Sequence, residues 1–552
     1  MKIQFELDKK ETFDKLVESS LLSKPVITSD NIIFNFKIEG VKNEVININK
    51  NIKSQVIGSQ LSDLIYFSFE IQRQILLLYA ANPDSLPKDV LDRILESVMD
   101  IKGILSSKNA YEWYDHCVTN RSVFLRDFMI FMAKKNDFLN YQKIYKIHYK
   151  HIKFNLSKTN YDYLTNHGII SDTYGLLALR GFTSEKYISI ASKFYARSVD
   201  RIDHYISDDG VPLESSSTYW FLIYKLYKKI LNIGSKYFDF EPDASVKLKL
   251  KKTEVFFDII NLNGKFLRIG QSSGGHDYPL QAYEPKRLDH KNEIIVHQFD
   301  TGLVLVNAYN SEGKVSLQLL VNTQKIYPKV HGHEDSGVIC LYYNGQVYLD
   351  TPGSFKFKEH TKGINVKPKS YKNQSVVYTS NSGYLNQVKD VEVNCEEDQV
   401  EISYCIYKKS LSIDRKIVLD VKKSKLSIQD RNNQKRQPFT SQFLLAKKGK
   451  LTDTNYKLND IDFKFSSLPT EEKGYLTVER GKVKVVPLIQ MNGLENSVEM
   501  NFDIEEIEKI KFGTHSVKYY NKRKTYSSEM KKNRMKRRFL NLFVKINKLI
   551  KR

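Results

Sequence analysis

The pattern of apolar and polar residues changes twice along the chain and predicts three blocks of structure. Residues 1–60 carry short runs in which apolar and polar residues alternate, which is typical of a few strands in a small lead-in segment. Residues 61–248 repeat apolar positions at helical spacing and predict a long helical block. Residues 249–515 carry many short strand patterns separated by turn signals such as Asn344-Gly345, and they predict a large antiparallel β-sandwich. The fold class is therefore α+β and multidomain, with a ligand cleft expected where the two large domains meet.

The final segment, residues 516–552, has a different composition. Residues 522–552 hold thirteen Lys and Arg residues and one Glu, so they carry +12 of the net charge of +22. Five apolar residues fall on one helical face between the basic ones: Phe539, Leu542, Phe543, Ile546 and Ile550. This pattern predicts an amphipathic helix on an anionic membrane surface, with a solvated tail or a helix docked on a partner as the alternatives.

Composition narrows the class of protein and of partner. A chain of 552 residues with 41% hydrophobic and 12% aromatic residues has enough apolar surface for a large core, which excludes wholesale disorder. The net charge of +22 favours an acidic partner, and charge alone leaves nucleic acid, an anionic membrane and a polyanionic glycan open. Nucleic acid is not expected, because no nucleic-acid-binding motif accompanies the charge.

Three missing patterns bear on cofactors and location. The four cysteines form no C-x-x-C pair, so the sequence indicates neither a zinc ribbon nor a disulfide framework. The charged amino terminus does not match a signal peptide, and no apolar run approaches the length of a transmembrane helix. The expected location is cytoplasmic, and peripheral at the inner face of the membrane if the basic tail binds there.

Four short stretches gather groups that transfer protons or bind carboxylates. They are Trp113-Tyr114-Asp115-His116 followed by Arg121; Asn166-His167; Asp208 to Trp220, which includes Glu214 and Tyr219; and His331-Gly-His333-Glu-Asp335, which leads to Asp350 and Gly353. Each stretch alone has an ordinary structural explanation, such as a helix cap, a buried tyrosine or exposed histidines. Their occurrence together, in this order across a helical and then a β block, favours a functional site.

In these stretches the chain resembles the heparinase II/III and alginate lyase superfamily of polysaccharide lyases. The resemblance covers residues from about 100 to 390. Trp113 to Arg121 is similar to that superfamily's Trp-x-Asp-His…Arg segment, and Asn166-His167 is similar to its Asn-His motif. Asp209 to Tyr219 is similar to its Asp-Gly…Glu-x-Ser-x-x-Tyr motif, and His331 to Gly353 is similar to its β-domain signature. The resemblance implies an N-terminal incomplete α/α toroid followed by a large antiparallel β-sandwich.

The reaction implied by the resemblance is the cleavage of a uronic-acid-containing anionic polysaccharide by β-elimination, which requires no cofactor. A base removes the C5 proton, the adjacent carboxylate is neutralised so that an enolate can form, and an acid protonates the departing O4. By the resemblance, Asn166 and His167 bind the carboxylate, and Tyr219 and His331 transfer the protons. The other implied substrate-binding residues are Arg121, His116, Trp113 and Glu214.

Members of this superfamily also hold a structural metal with a His-Asp-His set of ligands. His333 and Asp350 match two of these ligands, which implies a divalent metal such as zinc. Lys372 stands at the position of the third ligand, and a protonated lysine cannot bind a cation. Either Glu334 or Asp335 substitutes for the missing histidine, or the lysine replaces the metal as the local charge.

Two other functions remain open on the same residues. A uronate C5-epimerase removes the same proton and returns one to the opposite face of the sugar, so only the product separates it from a lyase. A non-catalytic glycan-binding factor in the production of a surface polysaccharide agrees with the basic tail and with the altered motif position at Lys372.

Overall fold

The structure is a computed structural model that describes residues 26–27, 32–36, 44–47, 67–81, 89–101, 112–157, 160–162, 165–270, 272, 286, 288–324, 332–353, 370–379, 383–433, 438–458, 461–479, 482–504 and 507–515. The chain divides into two compact units. The described residues of the first unit lie within 1–202 and 225–243, and those of the second lie within 203–224 and 244–515. The basic tail predicted to form an amphipathic helix lies outside the described residues.

The alternating pattern near the amino terminus forms a small antiparallel sheet. Its strands are β1 (Val26–Ile27), β2 (Ile32–Phe36) and β3 (Glu44–Asn47), and β2 lies between the other two. Strand β2 pairs with β3 so that Phe34 lies opposite Ile46.

Helices follow, as the helical spacing of apolar residues predicts. Those among the described residues are α1 (Glu70–Ala81), α2 (Val90–Met99), α3 (Asp115–Lys134), α4 (Phe138–Leu156), α5 (His167–Leu177), α6 (Glu185–Val199), α7 (Ile202–Tyr205), α8 (Ser217–Phe238) and α9 (Ala244–Ile259). No helix among these is both long and apolar enough to cross a lipid bilayer.

Local chemistry accounts for where these helices begin and which face they bury. In α2, Val90, Ile94 and Val98 recur every four residues, and each is at most 2% exposed. Helix α4 begins after Asp137, whose carboxylate accepts a hydrogen bond from the backbone N–H of Asn140 at 3.1 Å.

Histidine 148 of α4 is part of the buried core of the first unit. Its side chain is completely buried, and its Nε2 lies 3.1 Å from the carbonyl oxygen of Ala178. Burial lowers the pKa of His148 to about 4, and the hydrogen bond to the carbonyl offsets this only in part. The imidazole is therefore neutral at physiological pH.

The second unit holds three sheets, whose strands begin at Glu293. The predicted boundary at residue 249 was wrong, because α9 continues to Ile259 and buries Leu250, Thr253 and Phe257 at helical spacing. The strands are β4 (Glu293–Gln298), β5 (Leu303–Tyr309), β6 (Val315–Asn322), β7 (Val338–Tyr343), β8 (Gln346–Leu349), β9 (Val377–Thr379), β10 (Gly383–Tyr384), β11 (Gln387–Cys395), β12 (Gln399–Lys408), β13 (Leu411–Asp420), β14 (Lys425–Asn432), β15 (Phe439–Leu444), β16 (Lys450–Thr452), β17 (Asn455–Leu458), β18 (Ile461–Phe465), β19 (Thr470–Glu479), β20 (Lys482–Gly493), β21 (Glu495–Asn501) and β22 (Lys509–His515).

The order of strands within the sheets is not sequential. A six-stranded sheet has the order β22-β4-β5-β6-β7-β8, and an eight-stranded sheet has the order β11-β12-β13-β14-β21-β18-β17-β16. A five-stranded sheet has the order β10-β9-β15-β20-β19. Neighbouring strands are antiparallel except for β22 and β4. The predicted hairpin at Asn344-Gly345 joins β7 to β8, and both residues have positive φ angles, 39° and 84°, as a tight hairpin turn requires.

The sheets of the second unit share one hydrophobic core, as a β-sandwich requires. Val306 of the six-stranded sheet and Ile417 of the eight-stranded sheet both belong to it. The same interior holds a buried ion pair between Arg415 and Asp430, which lie opposite each other on β13 and β14. The guanidinium donates two hydrogen bonds to the carboxylate, at 2.6 and 2.7 Å, so each charge is compensated.

Candidate functional site

Asp115 and His116 of the first unit lie at the amino-terminal end of α3. The helix begins at Asp115, where a carboxylate is favoured because the N–H groups of the first turn carry partial positive charge. The carboxylate accepts a hydrogen bond from the backbone N–H of His116 at 2.8 Å. Asp115 is only 7% exposed, whereas His116 is half-buried. The sequence thus fixes an acid and an accessible histidine side by side at a helix end.

His167 begins α5 and lies against both of these residues. Its Nδ1 is 3.0 Å from the nearer carboxylate oxygen of Asp115, and its ring centroid is 4.1 Å from that of His116. Tyr114 stacks on His116 with a centroid distance of 5.6 Å. Asn166 immediately precedes α5 and is 1% exposed, and its side chain does not cap the helix. The structure therefore brings together two motifs that are about fifty residues apart in the sequence.

The cluster combines one ionised carboxylate with two imidazole rings. Burial raises the pKa of Asp115, but the hydrogen bond with His167 and the charges of His167 and His116 outweigh burial, so the pKa lies below its ordinary value. Asp115 is therefore ionised. One donor atom from each of these three residues lies within 4.8 Å of the others, which resembles the donor set of a zinc site. The amino-terminal end of α5 carries partial positive charge beside the two imidazole rings, so the cluster offers hydrogen-bond donors to an anion as well as ligand atoms to a metal.

Arg121, which the resemblance implies as a substrate ligand, is completely buried on α3. Its Nε donates to Nε2 of His151 at 3.0 Å, and its two terminal nitrogens donate to the carbonyl oxygens of Phe67 at 2.7 Å and Glu112 at 2.5 Å. Trp113 is half-buried, with its ring 5.8 Å from the guanidinium carbon. Because all three nitrogens are engaged with protein atoms, Arg121 fixes the segment before α3 instead of presenting its charge to a ligand.

Tyr219 and Glu214 belong to the second unit. Tyr219 is the third residue of α8 and is half-buried. Glu214 is 8% exposed, and its backbone carbonyl accepts a hydrogen bond from the indole N–H of Trp220 at 2.8 Å. The hydroxyls of Ser217 and Ser272 lie 2.8 Å apart. These contacts hold the loop before α8 and thereby fix the helix end that carries Tyr219.

The Asp-Gly pair of the same motif has a structural role in the second unit. Asp209 accepts a hydrogen bond from the backbone N–H of Asp300 at 2.5 Å, which joins the loop before α8 to the turn between β4 and β5. Gly210 has a φ of +92°, and a Cβ atom there would lie 2.5 Å from the backbone carbonyl carbon of Lys252. Only glycine fits this position.

His333 and Asp350, the two implied metal ligands, have protein partners in the second unit. The carboxylate of Asp350 forms an ion pair with Arg268 at 2.7 Å, and both side chains are at most 3% exposed. Nδ1 of His333 lies 2.9 Å from the amide nitrogen of Gln374. The guanidinium already supplies the positive charge that a metal would bring, so these donors do not fit a divalent cation. Lys372, at the position of the third ligand, is exposed.

The sequence analysis assigned no role to two charged residues that the structure places beside the predicted site residues. Asp115 is the partner that orients His167, and its position at a helix start directly before His116 is a signal that points to it. Arg268 is 82 residues from Asp350 in the sequence, and no local pattern points to it. His331, implied to transfer a proton, lies outside the described residues.

Comparisons with known proteins give matches only at the level of structure. No family model and no curated protein matches the sequence. A structure of heparinase III matches with a TM-score of 0.64 and 11% identity, covering 79% of this chain and 76% of that chain. Heparan sulfate lyase HepC from Pedobacter heparinus matches with a TM-score of 0.58 and 12% identity, covering 92% of this chain and 85% of that chain. A mutant of the same lyase matches over the same shares, with a TM-score of 0.60 and 12% identity.

These matches extend over both the helical and the β part of the chain, and at this identity they concern the fold. They confirm the predicted architecture, in which an incomplete α/α toroid is followed by a large antiparallel β-sandwich. The chain therefore has the fold of heparinase III and of heparan sulfate lyase, a fold of polysaccharide lyases.

Proposed function

We propose that the protein is a polysaccharide lyase that cleaves a uronic-acid-containing anionic polysaccharide by β-elimination. The observation that carries the proposal is the cluster of Asp115, His116 and His167 at two helix ends, in a chain with the fold of heparan sulfate lyases. The C5 proton of a uronate becomes acidic enough to leave only when the neighbouring carboxylate is neutralised. The cluster supplies imidazole groups and a positive helix end for that carboxylate.

In the proposed reaction, Asn166 and His167 donate hydrogen bonds to the substrate carboxylate. Asp115 engages Nδ1 of His167, so Nε2 of the same ring is the nitrogen that faces the ligand. The ionised Asp115 also balances the charge of the ring when it is protonated. Removal of one such donor costs about 3 kcal/mol of transition-state stabilisation.

The proton transfers are assigned to Tyr219 and His331. Tyr219, as its phenolate, takes the C5 proton, and the electrons of the C5–H bond form the C4–C5 double bond. The C4–O4 bond breaks with its electrons on O4, which receives a proton from His331. A positioned acid or base of this kind contributes ~10²–10⁴-fold to the rate. The half-buried position of Tyr219 on the first turn of α8 supports its assignment.

No metal takes part in the proposed mechanism, because the Arg268–Asp350 ion pair supplies the local charge balance. We expect elemental analysis of the dialysed protein to find no stoichiometric zinc, and the melting temperature to be the same with and without a chelator. One bound metal per chain, together with a lower melting temperature in chelator, would contradict this part of the proposal.

The first experiment follows the ultraviolet absorbance of the conjugated 4,5-unsaturated uronate during incubation with heparan sulfate, chondroitin, hyaluronan and alginate. We expect absorbance to grow with one of these polymers and Tyr219→Phe to abolish the signal. Tyr205→Phe, a change at a buried tyrosine outside the proposed site, is the control and should retain activity. A flat trace with every polymer would overturn the lyase proposal. Exchange of the C5 proton in deuterated water under the same conditions would then identify an epimerase.

A further inference from the structure

Helix α4 carries a row of aromatic rings along one face. Phe138, Tyr141, Tyr145 and Tyr149 follow one another at intervals of three and four residues, so they share a face that runs about 17 Å along the helix. Neighbouring tyrosine rings lie 6.4 and 6.3 Å apart, with planes within 19° and 3° of parallel. Phe138 is 61% exposed and the three tyrosines are half-buried. We call these four residues the aromatic row.

The same helix is uniformly basic at its surface. It contains no Asp or Glu, and it has four exposed lysines: Lys143, Lys146, Lys150 and Lys153. At 100° per residue, Lys146, Lys150 and Lys153 border the aromatic row on the side away from the buried face of α4. Within the described part of the chain none of these lysines forms an ion pair, so their charges are available to a partner.

One ring of the row holds two ammonium groups. The Nζ of Lys153 lies 4.8 Å from the ring centroid of Tyr149, and the Nζ of Lys186, on α6, lies 4.2 Å from the same centroid. Cation–π contacts of this length restrict where two otherwise mobile side chains can be. Two ammonium groups positioned on one ring form a place for a carboxylate or a sulfate.

We propose that the aromatic row and its bordering lysines bind an anionic polysaccharide chain outside the reaction site. The flat faces of pyranose rings present C–H groups that stack on aromatic side chains, while their carboxylate or sulfate groups pair with the lysines. A row of rings bordered by cations matches both features of such a polymer over several sugar units. The ligand class rests on the proposed function, whereas the surface itself rests on the contacts of α4.

A membrane surface fits these observations less well. The buried face of α4, which includes Ile144, His148 and Ile152, is completely covered within the first unit, so the helix has no free apolar face to insert into lipid. The strongly exposed apolar residues of α4 are Phe138 and Leu139, both at its first turn.

The test measures binding of the full-length protein to heparan sulfate and to alginate by affinity electrophoresis at fixed ionic strength. We expect Lys153→Ala/Lys186→Ala to weaken binding of the preferred polymer about threefold to tenfold, the loss typical of two exposed charge contacts. Tyr149→Leu should weaken binding similarly, because it frees both lysines. Tyr149→Phe should bind as the native protein does, because the phenyl ring keeps the cation–π contacts.

The matched control removes two lysines from the β part of the chain. Lys389 lies 5.7 Å from the ring centroid of Tyr407 and forms an ion pair with Asp390, and Lys423, in the same sheet region, forms an ion pair with Asp420. Lys389→Ala/Lys423→Ala therefore removes the same charge and one cation–π contact, and it should leave binding unchanged. Equal losses in this control and in Lys153→Ala/Lys186→Ala would overturn the proposal, because only net charge would then matter.

Further outcomes separate this proposal from the lyase proposal. If the protein cleaves no polymer but loses polysaccharide binding in the α4 variants, the surface stands and the lyase proposal fails. If the protein is an active lyase and Lys153→Ala/Lys186→Ala binds and cleaves long chains as the native protein does, the surface is refuted and the lyase proposal stands. A loss confined to vesicles of anionic phospholipid or to single-stranded RNA, with polysaccharide binding intact, also refutes the surface.

Discussion

Asp115→Asn tests whether the carboxylate that touches His167 prepares the site for a substrate carboxylate. The change keeps the shape of the side chain and removes its charge. In the native protein a carboxylate oxygen lies 3.0 Å from Nδ1 of His167, with Asp115 only 7% exposed. The amide of asparagine would replace a charge-assisted hydrogen bond with a neutral one and would allow the ring to turn.

The size of the effect follows from that one contact. Hydrogen bonds to charged groups contribute about 1.5–3 kcal/mol. At 1.36 kcal/mol for each factor of ten, the loss corresponds to a decrease in kcat/KM of about tenfold to a hundredfold. Because the cluster binds the carboxylate in both the ground state and the transition state, we expect part of the loss to be a higher KM.

The assay is the absorbance of the unsaturated uronate as a function of substrate concentration, together with urea denaturation of each variant. Asp115→Asn also removes an acid from the first turn of α3, which costs about 0.3–1 kcal/mol of stability. Asp137→Asn is the matched control, because Asp137 caps α4 without contacting a histidine. It should lose similar stability and no activity. An Asp115→Asn protein that is folded and retains more than half of the native kcat/KM would refute the assigned role of Asp115.

Three further predictions concern stability, each measured by urea denaturation. Gly210→Ala should destabilise the protein more than Gly264→Ala. Both positions have φ near +90°, which costs an alanine about 1–3 kcal/mol, but only at Gly210 would the new Cβ overlap backbone atoms. Equal losses of stability in the two variants would contradict the overlap. Asp430→Ala should cost about 3–5 kcal/mol by leaving Arg415 buried without its partner, and Arg415→Met should recover most of that loss in the double variant. His148 should contribute a loss of about 3 kcal/mol as the pH falls from 6.5 to 4, because its pKa, about 4 when folded, is below its unfolded value. The decline of the native protein should therefore exceed that of His148→Gln by about this amount.

The elements of the fold were accessible from the sequence because each leaves a local periodic signal. Val90, Ile94 and Val98 of α2 repeat every four residues, and the Asn344-Gly345 turn between β7 and β8 requires the positive φ angles that these two residues adopt readily. The order of strands has no such signal. Strand β14 pairs with β21 across about seventy residues, and that pairing depends on the shared core and not on the residues near either strand.

The candidate site, like the fold, was predictable from the sequence only in part. The histidines and the tyrosine were found through motifs, whereas the role of each depends on partners that the motifs do not contain. Arg121 belongs to a motif, yet its guanidinium donates its hydrogen bonds to His151 and to two backbone carbonyls. Arg268 belongs to no motif, yet it is the residue that neutralises Asp350. Charge pairing between distant segments is a property of the folded chain, and a linear pattern cannot report it.

The three functions that the sequence leaves open share one chemical requirement, which is a site that holds a uronate carboxylate. A lyase and an epimerase need that carboxylate neutralised before C5 loses its proton, and a binding factor needs it as a point of recognition. Asp115→Asn should therefore weaken polysaccharide affinity under all three functions. Tyr219→Phe should abolish elimination or C5 exchange and leave affinity unchanged, because a proton-transfer group contributes to the transition state and not to ground-state binding. Applied together, the two substitutions separate recognition of the carboxylate from the chemistry at C5.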